Sequence, residues 1–338
     1  MNYDAILVTS FGGPEGPDDV MPFLENVLRG KNVPRERMLQ VAEHYYHFGG
    51  KSPINDQNRL LITALNNELD EHGPRLPIYW GNRNWHPMLA DTLRQMKADG
   101  VGRALAFVTS AYSSYSSCRQ YREDIARAQA AVGDGAPVVD KIRAFHNHPG
   151  FVEAVVDRIQ HALMEIPESR RERAQLIYTA HSIPLAMAQG CDYEKQLRET
   201  GRLVAEELGH KEWRLVYQSR SGPASQPWLE PDILDWLREL KEQGDASGDV
   251  VIAPIGFVSN HMEILFDLDT QARDLCAQLG LNMVRAQTVG THPRFIRMIR
   301  ELICERIDTS QPRLALGVLG ARPDICPTDC CPIPQRPT

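Results

Sequence analysis

The sequence predicts an α/β protein made of two doubly wound domains with parallel sheets. Short runs rich in β-branched and aromatic residues recur along the chain, and they are too continuously apolar for strands with one wet face. Each run is followed by a stretch whose apolar residues return at helical spacing. At 338 residues, 42% hydrophobic and 24% charged, the chain is longer than one core usually serves, which favours two domains.

The strands are expected in AILVTSFGG from Ala5, IYWGNRN around Ile78, ALAFVTSAY over Ala104–Tyr112, AQLIYTAHSIP from Ala174, WRLVYQSRSGP from Trp213, DVVIAPIGFVSN from Asp249 and LNMVRAQTVG from Leu281. Between them lie helical patterns such as DQNRLLITALNNELDEHG, HPMLADTLRQMKADG, CRQYREDIARAQAAVG and DYEKQLRETGRLVAEELG, several of which stop at Gly. EILFDLDTQARDLCAQLG also reads as a helix. AEHYYHFGG suits either an amphipathic surface helix or an aromatic wall for a flat ligand. The domain boundary falls in KIRAFHNHPG, Lys141 to Gly150. The expected division is therefore residues 1–145, 146–310, and a cysteine-containing tail over 311–338. The helix around Arg294–Arg306 is placed to cross back onto the first domain.

A net charge of -7 without a long basic run argues against a nucleic-acid partner. No stretch approaches the roughly 20 apolar residues of a membrane span. MNYDAILVTSFGG enters a strand directly, without a basic leader, so a cytoplasmic location is expected. Seven cysteines in so long a chain are not a disulfide framework. Cys276 and Cys304 sit in helical patterns and suit buried small hydrophobes. Cys191 is isolated, whereas Cys326, Cys330 and Cys331 crowd into CPTDCCP, with Cys118 far upstream in SSYSSCRQY. The tail itself is Pro-rich and aperiodic, and needs something other than its own packing to hold it.

Four strands end in polar or Gly-rich segments: SFGG, SAYSSYSS, AHS and GFVSNH. In open α/β sheets, ligands bind beyond the carboxyl ends of the strands. Ordinary turn and capping chemistry accounts for several of the serines. It accounts poorly for His181, because histidine is not a favoured cap, and a second polar group, Asn260, His261 and Glu263, follows another strand in an equivalent place. An imidazole with a carboxylate suits proton transfer. It equally suits an open site for divalent iron, which accepts both ligand types. FGGPEG lacks the spacing of a dinucleotide loop and the ending of a phosphate loop, and no GxSxG surrounds the serine of AHS.

Together, LVTSFGGP, LRGK, GGKSPIN, TSAYSSYSSCRQY, YTAHSIP, YQSRSGPASQPWLEP and PIGFVSNHMEILFDLD resemble the ferrochelatases, which insert ferrous iron into a porphyrin. The likeness runs in order along nearly the whole chain. It implies two similar Rossmann-like, chelatase-like domains with the porphyrin between them. It implies that His181 is the active-site histidine and Glu263 its carboxylate partner across the cleft, both placed to meet the metal, with His261 beside them. Phe257 and Trp228 match neighbouring pocket positions, and Phe11, Arg29, Tyr45, Ser52 and Tyr121 match porphyrin contacts.

There are departures from the family pattern. Phe11 stands where many relatives have tyrosine, and can only pack on the macrocycle. Asn260 replaces a common aspartate, which weakens a proton relay there. His44 stands where some relatives have arginine. The resemblance further implies a [2Fe-2S] cluster on Cys118, Cys326, Cys330 and Cys331 that pins the tail.

SFGGP and GNRNWHP are similar to the soluble bacterial branch that acts on coproporphyrin III. The segment from Leu24 to Gly50 is broken by Arg29, Lys31, Arg35 and Arg37, cations that suit either propionates or a solvated face. Protoporphyrin IX is the alternative substrate. A haem-delivery protein without chemistry and a cobalt or nickel chelatase are the alternative functions. Expected partners are the porphyrin and, transiently, haem-pathway enzymes, with the chain a monomer.

Overall fold

The computed structural model describes residues 2–31, 33–222, 225–244 and 248–333. In chain order the first half runs β1 (Ala5–Ser10), α1 (Pro17–Val27), α2 (Arg35–His47), α3 (Ile54–His72), β2 (Ile78–Asn82), α4 (Leu89–Ala98), β3 (Arg103–Val108), α5 (Gln120–Val132) and β4 (Val138–Lys141). The second runs α6 (Pro149–Met164), α7 (Glu168–Arg171), β5 (Gln175–His181), α8 (Leu185–Gln189), α9 (Tyr193–Leu208), β6 (Trp213–Gln218), α10 (Ile233–Glu242), β7 (Asp249–Ala253), α11 (Arg273–Leu279), β8 (Asn282–Arg285) and α12 (Pro293–Ile307).

Each half folds into a four-stranded parallel sheet, with orders β2-β1-β3-β4 and β6-β5-β7-β8. The same order occurs twice, so the strand order reverses between β1 and β3 and again between β5 and β7, where a doubly wound sheet opens a crevice. β4 was not among the expected strands. It is four residues at a sheet edge, exposed or half-buried throughout, so it carries no apolar run to read. A second difference follows β7. The stretch read as one helix begins as a π-helix over Ile264–Ala272 and becomes α-helical only at Arg273.

The strands bury both faces. Ile6 and Val8 of β1 and Leu176 and Tyr178 of β5 belong to one cluster with Leu61 and Leu65 of α3. That cluster also takes in Phe295 and Ile299 of α12, so the two halves share a core. The final helix does reach the first half: Arg300 pairs with Glu68 of α3 at 2.8 Å. The opposite faces have their own clusters, Ala5 and Leu7 with Leu93 and Met96, and Ile177 and Ile252 with Leu237 and Cys276. Cys276 is buried as expected, whereas Cys304 is only half-buried. Among the described residues, no helix is long and apolar enough to cross a membrane.

The tail is held mainly by arginines. Arg119 donates to the Cys330 carbonyl at 3.2 Å. Arg122 reaches the carbonyls of Cys326, Pro327 and Thr328 at 3.4–3.5 Å. Asp324 pairs with Arg306 and Arg313 at 3.0 and 2.6 Å, and Arg322 with Asp192 at 2.8 Å.

These contacts go with a correction. Cys118, Cys326, Cys330 and Cys331 were expected to hold a [2Fe-2S] cluster. Among the described residues, no group of three or more His, Cys, Asp or Glu side chains is arranged to hold a metal ion. The four cysteines are free thiols. Burial, and then the neighbouring Cys330 and Cys118, push the Cys331 thiol up to about 12 and raise that of Cys326. The anchoring role assigned to a cluster falls to guanidinium–carbonyl bonds.

Candidate active site

β5 outruns its neighbour. The β5–β7 ladder stops at Tyr178 opposite Ala253, while β5 continues to His181. The segment after β7 therefore crosses over the end of β5. Gly256 makes the crossing: its N–H donates to the Thr179 carbonyl at 3.0 Å, and a Cβ there would lie 2.6 Å from Cα and Cβ of Ala180. Only glycine lets the two backbones come so close. The crossing returns the chain beside His181 and delivers Glu263 as the residue before the π-helix. A tyrosine hydroxyl from the first half fixes the same segment, with Tyr112 donating to the Ile255 carbonyl at 2.9 Å.

His181 and Glu263 meet with Nε2 and Oε1 3.4 Å apart, and neither side chain is fully buried, at 33% and 43% exposure. The other ring nitrogen of His181 faces the Ser182 carbonyl, and its own carbonyl accepts from the Tyr193 hydroxyl at 3.0 Å. Burial opposes the charged imidazole, but the Glu263 carboxylate and the Ser182 carbonyl outweigh it and push the His181 pKa up to about 9. Burial likewise opposes the Glu263 anion, and His181 and then His261 outweigh it, holding the carboxyl down at about 2. At neutral pH the pair is thus imidazolium and carboxylate. His261 lies on the other side of Glu263, Nδ1 to Oε2 at 3.8 Å. Its Nδ1 accepts the Glu263 N–H at 3.3 Å, and burial, with His181 adding to it, keeps this imidazole below its ordinary value. The Phe257 ring packs edge-on against it, centroids 4.7 Å apart.

One group here escaped the sequence reading. Asp267 accepts from the Ser219 hydroxyl and, at 3.4 Å, from the Gln218 amide, which also bonds the Glu263 carbonyl at 3.2 Å. Ser219 sits at φ 62°, a strained value for a residue with a side chain. Burial, with Glu263 adding to it, pushes the Asp267 carboxyl up to about 6. Its position four residues after Glu263, on the same helical face, is the signal that would have found it.

The first half contributes rings. Phe23 gathers Phe11, Tyr45 and Trp85 edge-on, at centroid distances of 6.2, 5.8 and 6.1 Å. Phe11 is 37% exposed. Burial and the nearby Glu263 raise the Tyr45 phenol, which puts this wall within electrostatic reach of the pair. Tyr121 is buried, and the Arg83 guanidinium lies between it and Phe11, 4.5 and 5.7 Å from the two rings. An ion pair with Asp124 fixes Arg83 in turn. Arg83 was not among the expected site residues, although it follows the end of β2 just as they follow the ends of their strands.

The remaining expected residues are dispersed. Arg29 is exposed just beyond α1. Ser52 is buried, and its Cβ would meet a Cβ at Gly13 at 2.7 Å. Trp228 bridges to Pro184, three residues past His181, and its buried indole N–H has no partner among the described residues. Asn260 accepts from the Thr288 hydroxyl at 3.4 Å, a structural contact.

With this geometry in hand, comparison with known proteins is decisive. The profile of the ferrochelatase family matches residues 3–307. The chain belongs to the ferrochelatase family. Within it, the chain is 60% identical to a ferrochelatase of Rhodopirellula baltica, over 99% of this chain and 95% of that one. It is 50% identical to the coproporphyrin III ferrochelatase of Streptomyces coelicolor, over 98% and 93%, and 50% identical to that of Nocardia farcinica, over 100% and 99%. Among solved structures, SirB from Bacillus subtilis with Fe3+ superposes with a TM-score of 0.56 at 13% identity, covering 90% of this chain and 98% of that one. At that identity the likeness speaks for the fold. The two-domain chelatase-like architecture is therefore that of this ferrochelatase family member.

Proposed function

We propose that this chain inserts ferrous iron into coproporphyrin III, giving the iron porphyrin and two protons. The observation that carries the reading is the His181–Glu263 pair at 3.4 Å, and the Phe11–Phe23–Tyr45 rings offer the macrocycle an apolar wall. A flat macrocycle needs an apolar wall to lie on. Iron insertion needs a group that gives up and takes protons at the centre of the ring. The choice of coproporphyrin III is supported by relatives of that name at about half identity over nearly the whole chain.

In this reading Glu263 meets the incoming iron as an anion, and the dication lowers the affinity of His181 for its proton. His181 then releases that proton to solvent and becomes a neutral acceptor at the ring face. The two pyrrole protons leave towards His181 and Glu263, with Asp267 behind them as a carboxyl poised near neutrality. No change of iron oxidation state is required. Phe11, Tyr45 and Tyr121 hold the macrocycle, Ser52, Arg29, Phe257 and Trp228 complete its surroundings, and His261 sets the orientation of Glu263. The same reading divides the chain at 145/146 and takes it as a cytoplasmic monomer with brief contacts to haem-pathway enzymes.

The test is anaerobic steady-state insertion of Fe(II) into coproporphyrin III and protoporphyrin IX at constant detergent. The expected result is a higher kcat/KM with coproporphyrin III. Preference for protoporphyrin IX overturns the substrate and leaves the chemistry. Binding of porphyrin without insertion overturns the chemistry and leaves a carrier.

A further inference from the structure

α1 and α2 pack together through a small cluster of their own, Val20, Phe23, Leu24, Met38 and Ala42, distinct from the core shared by the two halves. A ring from this helix pair reaches the opposite half. The His44 imidazole lies flat on Phe266, centroids 3.6 Å apart and planes within 13°. Phe266 belongs to the π-helix and follows Glu263 by three residues. The residue after His44 is Tyr45, whose phenol is raised by burial and then by Glu263. The stack therefore joins the helix that carries an aromatic wall residue to the helix preceded by the acidic partner of His181. Burial, and secondarily Arg37, hold the His44 imidazole below its ordinary value. At neutral pH the ring is uncharged and stacks as an aromatic. Its face is occupied by Phe266, so the histidine that stands where some relatives have arginine is used here as an aromatic ring.

We propose that His44 and Phe266 form a tie across the site, holding α2 and its wall residue Tyr45 in place and setting the width of the slot that the porphyrin occupies. Both are positioning residues. The ligand named here rests on the ferrochelatase reading, whereas the tie rests on the stack. The α1–α2 pair cannot swing away from the second half without separating the two rings. An aromatic pair of this kind contributes roughly a 2- to 12-fold factor beyond the area it buries.

Three single variants of the full chain, His44→Ala, His44→Phe and Phe266→Ala, and the double variant H44A/F266A test the tie. Two readouts are needed: coproporphyrin III dissociation by stopped-flow fluorescence, and hydrogen exchange of α2 without porphyrin. H44A and F266A are each expected to speed dissociation and α2 exchange by roughly 3- to 10-fold. KM should rise by a similar factor, and kcat should change less than about twofold. H44F keeps the face and loses the nitrogens, so it should behave as wild type. The double variant should be no worse than either single one, because the interaction is already lost. If H44F behaves like H44A, the nitrogens matter and the tie is refuted. Additive losses in the double variant refute it as well. If wild type binds no porphyrin, the ferrochelatase reading fails, and hydrogen exchange of α2 still decides for or against the tie.

Discussion

The half built on β1–β4 and the half built on β5–β8 have the same strand order, yet they end their strands in residues of different kinds. Beyond β1 comes Phe11, and beyond β2 comes Arg83, stacked on Phe11 and Tyr121. β5 ends in His181, and the crossing beyond β7 delivers His261 and Glu263. The first set is aromatic, with its one cation already committed to Asp124. The second set titrates, with one pKa driven up to about 9 and another down to about 2. A doubly wound sheet thus fixes where a site can form, and the side chains beyond the strands decide what it does. On the proposed function, this difference gives the first half most of the hold on the ring and the second half the protons and metal.

The strongest way to break this division is His181→Ala. Insertion should fall by roughly 10³- to 10⁴-fold, the upper range for a group that moves protons, while porphyrin titration stays near wild type. Measurable loss of porphyrin affinity, or insertion within tenfold of wild type, would move the chemistry elsewhere.

Glu263→Gln sharpens it. Turnover should drop about 10²-fold with porphyrin affinity unchanged. The same variant removes the main force holding the proton on His181. Burial then acts with less opposition, and the imidazole pKa, followed by NMR, should fall to the ordinary range of about 6.5 or lower. The linkage has a definite sign. The raised His181 pKa stabilises the wild-type fold fully below the ordinary value of 6.5, and this is lost as pH climbs through about 9. The lowered Glu263 pKa contributes above its ordinary value of 4.5 and is lost as pH falls through about 2. The E263Q variant should show neither dependence. An unchanged imidazole titration would mean that some other group holds the His181 proton.

Gly256→Ala tests the crossing that brings the two together. The added Cβ meets Ala180, including its backbone Cα, at 2.6 Å, so the segment must shift. The expected cost is about 1–3 kcal/mol of stability and on the order of tenfold in kcat as Glu263 moves off His181. Chemical denaturation and steady-state rates measure the two separately. A stable variant with wild-type turnover would show that the crossing has room to move.

His181 was legible in the sequence because strand ends are. Buried parallel strands announce themselves by apolar runs, and His181 stands where one stops, whereas Glu263 lies well beyond β7 and was matched to it as a partner through the family resemblance. Other features leave no such mark. β4 is an exposed edge and carries no apolar run. Whether 264–272 winds as α or π is a choice among backbone hydrogen bonds, which apolar spacing does not encode. The hold of Arg119 and Arg122 on the tail uses backbone carbonyls, and any sequence offers those. The family resemblance implied a metal cluster on four of the cysteines, whereas their thiols are free and the arginines anchor the segment. His44 and Phe266, more than two hundred residues apart, meet only once both halves are folded.

The smallest effect is expected at Phe11, and it bears most directly on the comparison. Phe11 packs edge-on to Phe23 at 6.2 Å and beneath Arg83 at 5.7 Å, with 37% of its surface open. Phe11→Tyr adds a hydroxyl at the far edge of a ring that is already partly exposed. It keeps the packing, and the change in stability should stay within about 0.5 kcal/mol. If the first half only holds the macrocycle, the hydroxyl has no proton or metal to act on. In that case kcat with Fe(II) should change less than about threefold, and the rank order of Fe(II), Co(II) and Zn(II) should not change. KM for the porphyrin should move by a comparable factor, because a wall has been altered. A tenfold change in kcat, or a reversal of the metal order, would mean that the aromatic side also reaches the metal. The phenylalanine would then be a specificity choice made by this chain, and the two halves would share the chemistry.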